Sequence, residues 1–269
     1  MANLKGKKVL ITGGAGGIGL CTAEQFAKVG CEVILTDLDE EALKKAEEDL
    51  SEFRAPVHTR VMDVSDRNQV NEMATWVLEE IGGLDVLINN AGIGYSGELA
   101  DTTIETWQKL IAVNLMGPLY HIYAFLPHFR EKRSGHIVNV SSGQSFFRLP
   151  TWGAYASIKA AFGAFSEILH FEVRKYKIRV TTVYPFMVNT GFYDDIPGET
   201  WGGKLSMKLV PYYSQSPETV GKIIFKAVKK KVKIESVSVI NDFARVAQVI
   251  PFASDIIAIS SNFFLSKKA

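Results

Sequence analysis

KVLITGGAGGIG, residues 8–19, is the stretch that decides the fold. Its first five residues are a short apolar run and its last seven are glycine-rich. Residues 19–29 then repeat Leu20, Ala23, Phe26 and Ala27 at helical spacing. A strand, a tight glycine turn and a helix, in that order, gather unpaired backbone N–H groups and the positive end of a helix dipole at the turn. That arrangement suits a pyrophosphate. Glycine lets the chain turn sharply and lets the backbone approach phosphate oxygens closely. Gly13, Gly16, Gly17, Ile18 and Gly19 are therefore candidate contacts for a dinucleotide.

A second strand, residues 32–36, ends at Asp37, twenty-four residues after Gly13. A carboxylate there can accept both hydroxyls of an adenosine ribose and repels a 2′-phosphate. The loop holds no Arg or Lys to neutralise such a phosphate, and none directly follows Asp37. NAD is expected in preference to NADP. The competing reading of Asp37 is a helix cap or turn residue.

Working outward, strand and helix patterns keep alternating. Residues 40–53 carry Leu43, Ala46 and Leu50 on one stripe, and residues 57–62 read as a strand. Residues 68–81 read as a helix, 84–88 as a strand, and 103–130 as one or two helices with Pro118 near a kink. Strand 135–140, helix 154–175 and strand 178–184 complete the series. Short buried strands alternating with helices imply a parallel sheet covered on both faces, an α/β architecture of three layers. No repeat or linker interrupts residues 1–269, so one domain is expected. The least regular stretch, residues 191–216, is rich in aromatics and expected to be a substrate lid. Residues 237–269 form an apolar C-terminal extension. Arg245, Gln248, Pro251, Asp255 and Asn262 interrupt it, which favours a helix packed on the body or on a second subunit over a membrane span. Contact with a membrane surface is the alternative.

The 269 residues carry 30 Lys+Arg against 29 Asp+Glu, which leaves no electrostatic footprint for nucleic acid. Cys21 and Cys31 cannot build a disulfide framework, and a reduced, cytoplasmic setting is expected. His58, His121, His128, His136 and His170 lack metal-ligand spacing, so no metal is expected. The run Lys226, Lys229, Lys230, Lys231 and Lys233 reads as a solvated helix end.

Five motifs in order resemble the short-chain dehydrogenase/reductase family over residues 4–190. They are Thr12-Gly13-x-x-x-Gly17-x-Gly19, the pair Asp63-Val64, and Asn89-Asn90-Ala91-Gly92. The remaining two are Ser142 ahead of Tyr155-x-x-x-Lys159, and Pro185-Phe186 leading to Val188 and Thr190. The resemblance implies a doubly wound seven-stranded parallel sheet, a Rossmann fold, and a nicotinamide dinucleotide. It also implies that Asp63 and Val64 hold the adenine. Asn90, Ala91 and Gly92 would line the middle of the cofactor, and Val188 and Thr190 would hold its carboxamide. Asn114 matches the family's water-holding asparagine. Ser141 and Ser145 are nearby alternatives, but the family's usual thirteen-residue gap to the tyrosine implies Ser142.

Tyr155 and Lys159 also read without the family. Four apart on one helix, they share a face. A tyrosine, with a pKa of about 10, is a poor base at neutral pH, and a nearby ammonium favours its phenolate. The expected catalytic set is Asn114, Ser142, Tyr155 and Lys159. The expected activity is NAD-dependent interconversion of a secondary alcohol and a ketone. Two departures stand out. The family's Pro-Gly after the sixth strand is here Pro185-Phe186, and the glycine-rich ending of many tetramers is absent, though a homodimer or homotetramer is still expected. Ser142, Phe147, Tyr155, Phe186 and Phe192 are the expected substrate contacts. With the aromatics of residues 191–216 they point to a lipophilic substrate: a steroid, retinoid, fatty or aromatic-ring alcohol or ketone. The alternatives are a non-catalytic NAD-sensing or scaffold protein on the same fold, or a dehydrogenase of small alcohols or polyols.

Overall fold

In the computed structural model seven parallel strands form one sheet in the order β3-β2-β1-β4-β5-β6-β7. The structure describes residues 3–147, 149–190, 192, 196 and 214–247. The strands are β1 (Lys8–Thr12), β2 (Glu32–Asp37), β3 (Val57–Val61), β4 (Val86–Asn89), β5 (Gly135–Val140), β6 (Ile178–Tyr184) and β7 (Ile234–Ser236). The helices are α1 (Gly17–Ala27), α2 (Glu40–Ser51), α3 (Arg67–Glu79), α4 (Ile104–Ile111), α5 (Gly117–Lys132), α6 (Gly153–Val173), α7 (Pro217–Lys230) and α8 (Val239–Ala247). The strand order reverses between β1 and β4, where Ile11 pairs with Leu35 on one side and Ile88 on the other. In doubly wound sheets ligands bind at that switch point, beyond the carboxyl ends of the strands.

Each face of the sheet has its own core. Phe26 of α1, Leu43 and Leu50 of α2, and Val220 and Ile224 of α7 cover Val9, Ile11, Val33 and Leu35. Met73 of α3, Phe125 and Phe129 of α5, and Leu169 of α6 cover Leu10, Ile34, Leu87 and Ile137. Both faces of β1 and β2 are thus buried, which is why these strands read as continuous apolar runs rather than alternations. Each fully buried Phe contributes roughly 2 kcal/mol. Residues Ile104–Lys132 are apolar and long enough to span a bilayer by length and composition. Here they are two α-helices joined by a π-helical turn, with Ile122, Phe125 and Phe129 packed against the sheet.

Several element ends differ from the sequence expectation for identifiable reasons. The helix expected over residues 68–81 begins at Arg67, because the Asp66 carboxylate accepts from Asn68 N and Gln69 N and caps it there. The strand expected over 84–88 begins at Val86, since the Leu84 backbone is engaged by His128 Nε2 at 3.1 Å. The lysine run ends α7, where Lys231 takes the left-handed cap, and β7 follows. Sequence periodicity does not reveal β7, which has three residues and is held by pairing Ile234 with Thr182. Of residues 191–216, the structure describes Phe192, Ile196 and 214–216. Residues 248–269 of the extension lie outside the described residues.

Candidate active site

A cleft of about 1150 Å³ opens along the carboxyl ends of the strands, from the glycine loop past Asp37 to Tyr155 and Phe186. At its floor β1 runs into α1. Gly13 has φ +62°, and a Cβ on it would lie 2.9 Å from Ala91 Cα, so both the conformation and the space require glycine. Gly19 does not border the cleft. It packs under the loop, where a Cβ would meet Gly13 O at 2.0 Å. Gly19→Ala is therefore expected to displace the loop and lower stability by about 2 kcal/mol, as overpacking does. Thermal unfolding checks this, and an unchanged melting temperature would count against it.

The start of α1 is electrostatically open. Gly16 provides no side-chain cap, and no acidic residue lies in the first turn. By contrast Asp39, Asp66, Thr103 and Ser216 cap α2, α3, α4 and α7 through their side chains. Asp37 stands at the end of β2. Its Oδ2 accepts from Ala15 N at 3.1 Å and its Oδ1 from Leu38 N at 2.8 Å, so the carboxylate also ties the glycine loop to β2. Thr12 Oγ1 accepts from Asn90 N and Ala91 N, and Asn90 Nδ2 donates to Thr12 O and Gly13 O. The amide of Asn90 thus braces β1 against β4, while Asn90, Ala91 and Gly92 border the cleft. Asp63 and Val64 also border it. Asp63 Oδ1 accepts from Ser65 N and Oγ. Gly16, Gly17, Ile18, Val188 and Thr190 line the same wall, with Val188 bridged to Gln215.

The chemical end is built on α6. Tyr155 and Lys159 both border the cleft and are 5% and 4% exposed. Lys159 Nζ lies 5.9 Å from the Tyr155 ring centre and donates to Val140 O at 3.2 Å. Burial pulls the Lys159 ammonium down from its ordinary range to about 8. Ser142 follows β5 and borders the cleft, its Oγ accepting from Gln144 N. Ser141 borders the cleft too, but its hydroxyl is committed: it donates to Lys159 O at 2.8 Å and meets Ser145 Oγ at 3.0 Å. Asn114 lies in the π-helical turn Ala112–Met116, fully buried. Its Oδ1 accepts from Ile93 N and its Nδ2 donates to Ile93 O, so the side chain braces the strand-end loop. A Cβ on Gly92 would lie 2.7 Å from Asn114 Oδ1 and 3.4 Å from Lys159 Nζ, which brings these three residues together.

Near Tyr155, Phe186 and Phe192 border the cleft, but Phe147 does not. Phe147 packs against Phe186 at 4.9 Å between ring centres, and Phe146 against Tyr184 at 4.6 Å. Trp152 and Phe192 flank the Tyr155 ring at 6.0 and 5.8 Å. Among the bordering residues not foreseen from sequence are Gln144, Trp152 and Met187 near Tyr155, and Gln108 and Lys109 of α4. Gln144 is 6% exposed, and its Oε1 has no hydrogen-bond partner among the described residues. Its place two residues after Ser142 was the available clue. Met187 has φ +43°, a left-handed conformation one residue beyond the Phe186 that replaces glycine.

The family model of the short chain dehydrogenases matches residues 7–199. An uncharacterized oxidoreductase of Staphylococcus saprophyticus is 34% identical over 206 residues, covering 76% of this chain and 86% of that protein. An uncharacterized oxidoreductase of Mycobacterium bovis is 38% identical over 205 residues. That match covers 72% of this chain but 60% of the relative's length. A short-chain dehydrogenase/reductase from Burkholderia phymatum, solved in complex with NAD, superposes with a TM-score of 0.85 at 26% identity. It covers 100% of this chain and 99% of that one. The chain belongs to the short-chain dehydrogenase family of oxidoreductases.

Proposed function

We propose that this protein interconverts a secondary alcohol and a ketone with NAD, using Tyr155 as the proton-transferring group. The observation that carries the reading is the meeting of Tyr155, a buried Lys159 and the open N-terminus of α1 in one cleft. A dinucleotide fits there. The uncapped N–H groups of α1 suit its pyrophosphate, and Asp37 at the end of β2 suits a ribose diol. When bound, the cofactor supplies or accepts the hydride. Ser142 Oγ orients the substrate oxygen. Tyr155 Oη takes the hydroxyl proton during oxidation and returns it during reduction. The Lys159 ammonium, on the same helical face, stabilises negative charge on the phenolic oxygen and can bond a ribose hydroxyl. Asn114 has its amide committed to Ile93, so in this reading it serves the proton path through the carbonyls of its π turn. A panel of secondary alcohols with NAD, followed by absorbance of the reduced cofactor, tests the proposal. No turnover across the panel while NAD binds tightly would favour the non-catalytic reading.

Preference for NAD rests on Asp37. A carboxylate facing a 2′-phosphate is repelled, and no Arg or Lys lies in the glycine loop or directly after Asp37 to neutralise one. Wild-type kcat/KM should be much higher with NAD than with NADP, and Asp37→Ala should narrow the gap. It should also raise KM for NAD, because the bond to Ala15 N is lost. Equal wild-type efficiency with both cofactors would sink the assignment.

The substrate class rests on the aromatic surround of Tyr155. Trp152, Phe192 and Ile196 pack with it, and Phe186 borders the same space. Tyr193, Trp201, Leu205, Met207, Leu209, Tyr212 and Tyr213 lie outside the described residues. In this reading residues 191–216 cover the substrate and residues 1–269 act as one unit. Each buried methylene contributes about 0.8 kcal/mol. Catalytic efficiency is therefore expected to rise severalfold per added methylene along a series of secondary alcohols. A flat or falling series, or a polyol as best substrate, would rule out the lipophilic pocket. Exposed Tyr123 on α5 and Ile168 on α6 supply apolar surface for the proposed homodimer.

A further inference from the structure

The opposite end of the sheet carries a second cavity, of about 530 Å³, bordered by the amino ends of β4, β5 and β6 and the final turns of α5 and α7. That volume is in the range of small-molecule sites. Six cationic residues line it: Lys7, Arg133, Arg174, Lys177, Arg179 and Lys231. The single lining carboxylate, Asp85, is already committed. Its Oδ1 accepts from Lys7 Nζ at 3.0 Å and Lys132 Nζ at 2.8 Å, and its Oδ2 from Lys8 N at 3.0 Å. Beyond the Lys7–Asp85 pair, five cations line the cavity, a marked concentration in a chain whose net charge is +1.

The backbone contributes a second, independent sign. Arg133, Lys177 and Lys231 have φ of 48°, 61° and 59°. Each caps a helical segment, at the ends of α5, the 3-10 turn Arg174–Tyr176, and α7. Glycine or asparagine is the usual occupant of such caps. A cation there complements the helix dipole. Arg174, the C-cap of α6, answers to the same dipole, but Arg179 on β6 does not, and the dipole does not explain why all five border one cavity. The positive field also acts on His136, which lines the cavity with Nε2 2.8 Å from Thr181 Oγ1. Burial first, then Arg179 and Lys231, hold its imidazole down to about 3. His136 is thus neutral at physiological pH and leaves the arginines and lysines to carry the charge.

We infer that this cavity is a binding site for a phosphate-bearing anion of at least two charges, separate from the dinucleotide cleft. Guanidinium groups match phosphate oxygens in paired, charge-assisted hydrogen bonds, and three of the six cations are arginines. The cavity opens at the amino ends of β5 and β6, whereas the cleft lies beyond the carboxyl ends of the strands, so the two occupants do not overlap.

The test measures binding to the intact protein in two arms at about 0.1 M salt, where weak surface attraction is screened. One arm is calorimetric titration with inorganic pyrophosphate. The other is co-sedimentation with phosphatidylcholine vesicles containing phosphatidylglycerol. The proteins are wild type, the double variant Arg174→Ala/Arg179→Ala, Lys231→Gly, and two controls on α2, Lys45→Ala matched in charge to the single variant and Lys44→Ala/Lys45→Ala to the double. Lys231→Gly removes the charge while keeping a residue suited to the left-handed cap, so a loss there is not a folding defect. Wild type and both controls are expected to bind alike. The double variant should bind at least about tenfold more weakly, and Lys231→Gly severalfold more weakly. Loss confined to the pyrophosphate arm identifies a soluble phosphate compound as the ligand; the same loss on vesicles identifies a lipid headgroup. If wild type binds in neither arm, the inference is overturned. Undiminished binding by the cavity variants, which would place pyrophosphate at the glycine loop, or an equal loss in the matched controls overturns it too.

Discussion

Tyr155→Phe is expected to lower turnover by at least about a hundredfold, or roughly 2.7 kcal/mol of transition-state stabilisation, while dinucleotide binding persists. The substitution removes one oxygen from a side chain that is 5% exposed and leaves the ring between Trp152 and Phe192. The packing of the cleft therefore stays, and the group to which we assign the proton transfer goes. The split is the diagnostic part. A cofactor titration should give nearly the wild-type affinity, and kcat should fall with little change in the KM for the dinucleotide. Near-normal turnover on a good substrate would remove Tyr155 from the chemistry.

Lys159→Met should separate function from stability. Activity is expected to fall by about a hundredfold or more, with weaker dinucleotide binding, because the proposed function gives the ammonium both tasks. The folded protein should nonetheless become more stable near neutral pH. Lys159 is 4% exposed, donates to Val140 O, and has no ion pair among the described residues. Its pKa of about 8 lies below the 10.5 of a free lysine because burial disfavours the charge. Below pH 8 the group is charged in both folded and unfolded chains, and the full burial penalty applies. Between pH 8 and 10.5 the folded chain has released the proton and the unfolded chain has not, so stability rises with pH. Above that window both forms are neutral and the penalty is gone. The gain from Lys159→Met, on the order of 1 kcal/mol at pH 7, should therefore shrink as pH is raised toward 10. Thermal melts of both proteins across that range check it. A pH-independent loss of stability in the variant would show that Lys159 is held by compensating interactions.

Strands β1, β5 and β6 were legible to the residue, because each is an apolar run bounded by glycine, proline or polar residues. Asp37 and the glycine loop were also legible, since a turn between a strand and a helix needs only neighbouring residues to define it. β7 was not, because its three residues become a strand only when Thr182, Val183 and Tyr184 lie beside them. Ser141 and Ser142 both follow β5 and both border the cleft. What separates them is where α6 packs: the Ser141 hydroxyl is taken by Lys159 O, whereas Ser142 Oγ accepts from Gln144 N. Phe147 shows the opposite outcome. Its proximity in sequence to Ser142 suggested a substrate contact, yet it stacks behind Phe186.

The sequence by itself determined the alternation of strands and helices, the glycine turn, and the sharing of one helical face by Tyr155 and Lys159. These depend on periods of two and 3.6 residues and on turn chemistry, which act over a few neighbours. The tertiary structure decided that Lys159 is buried and pulled to about 8, and that Asn114 spends its amide on Ile93. It also decided that six cations far apart in the chain converge on one cavity. Burial and electric field are sums over everything nearby in space. Residues dozens of positions apart contribute to them equally, and spacing along the chain carries no record of that sum.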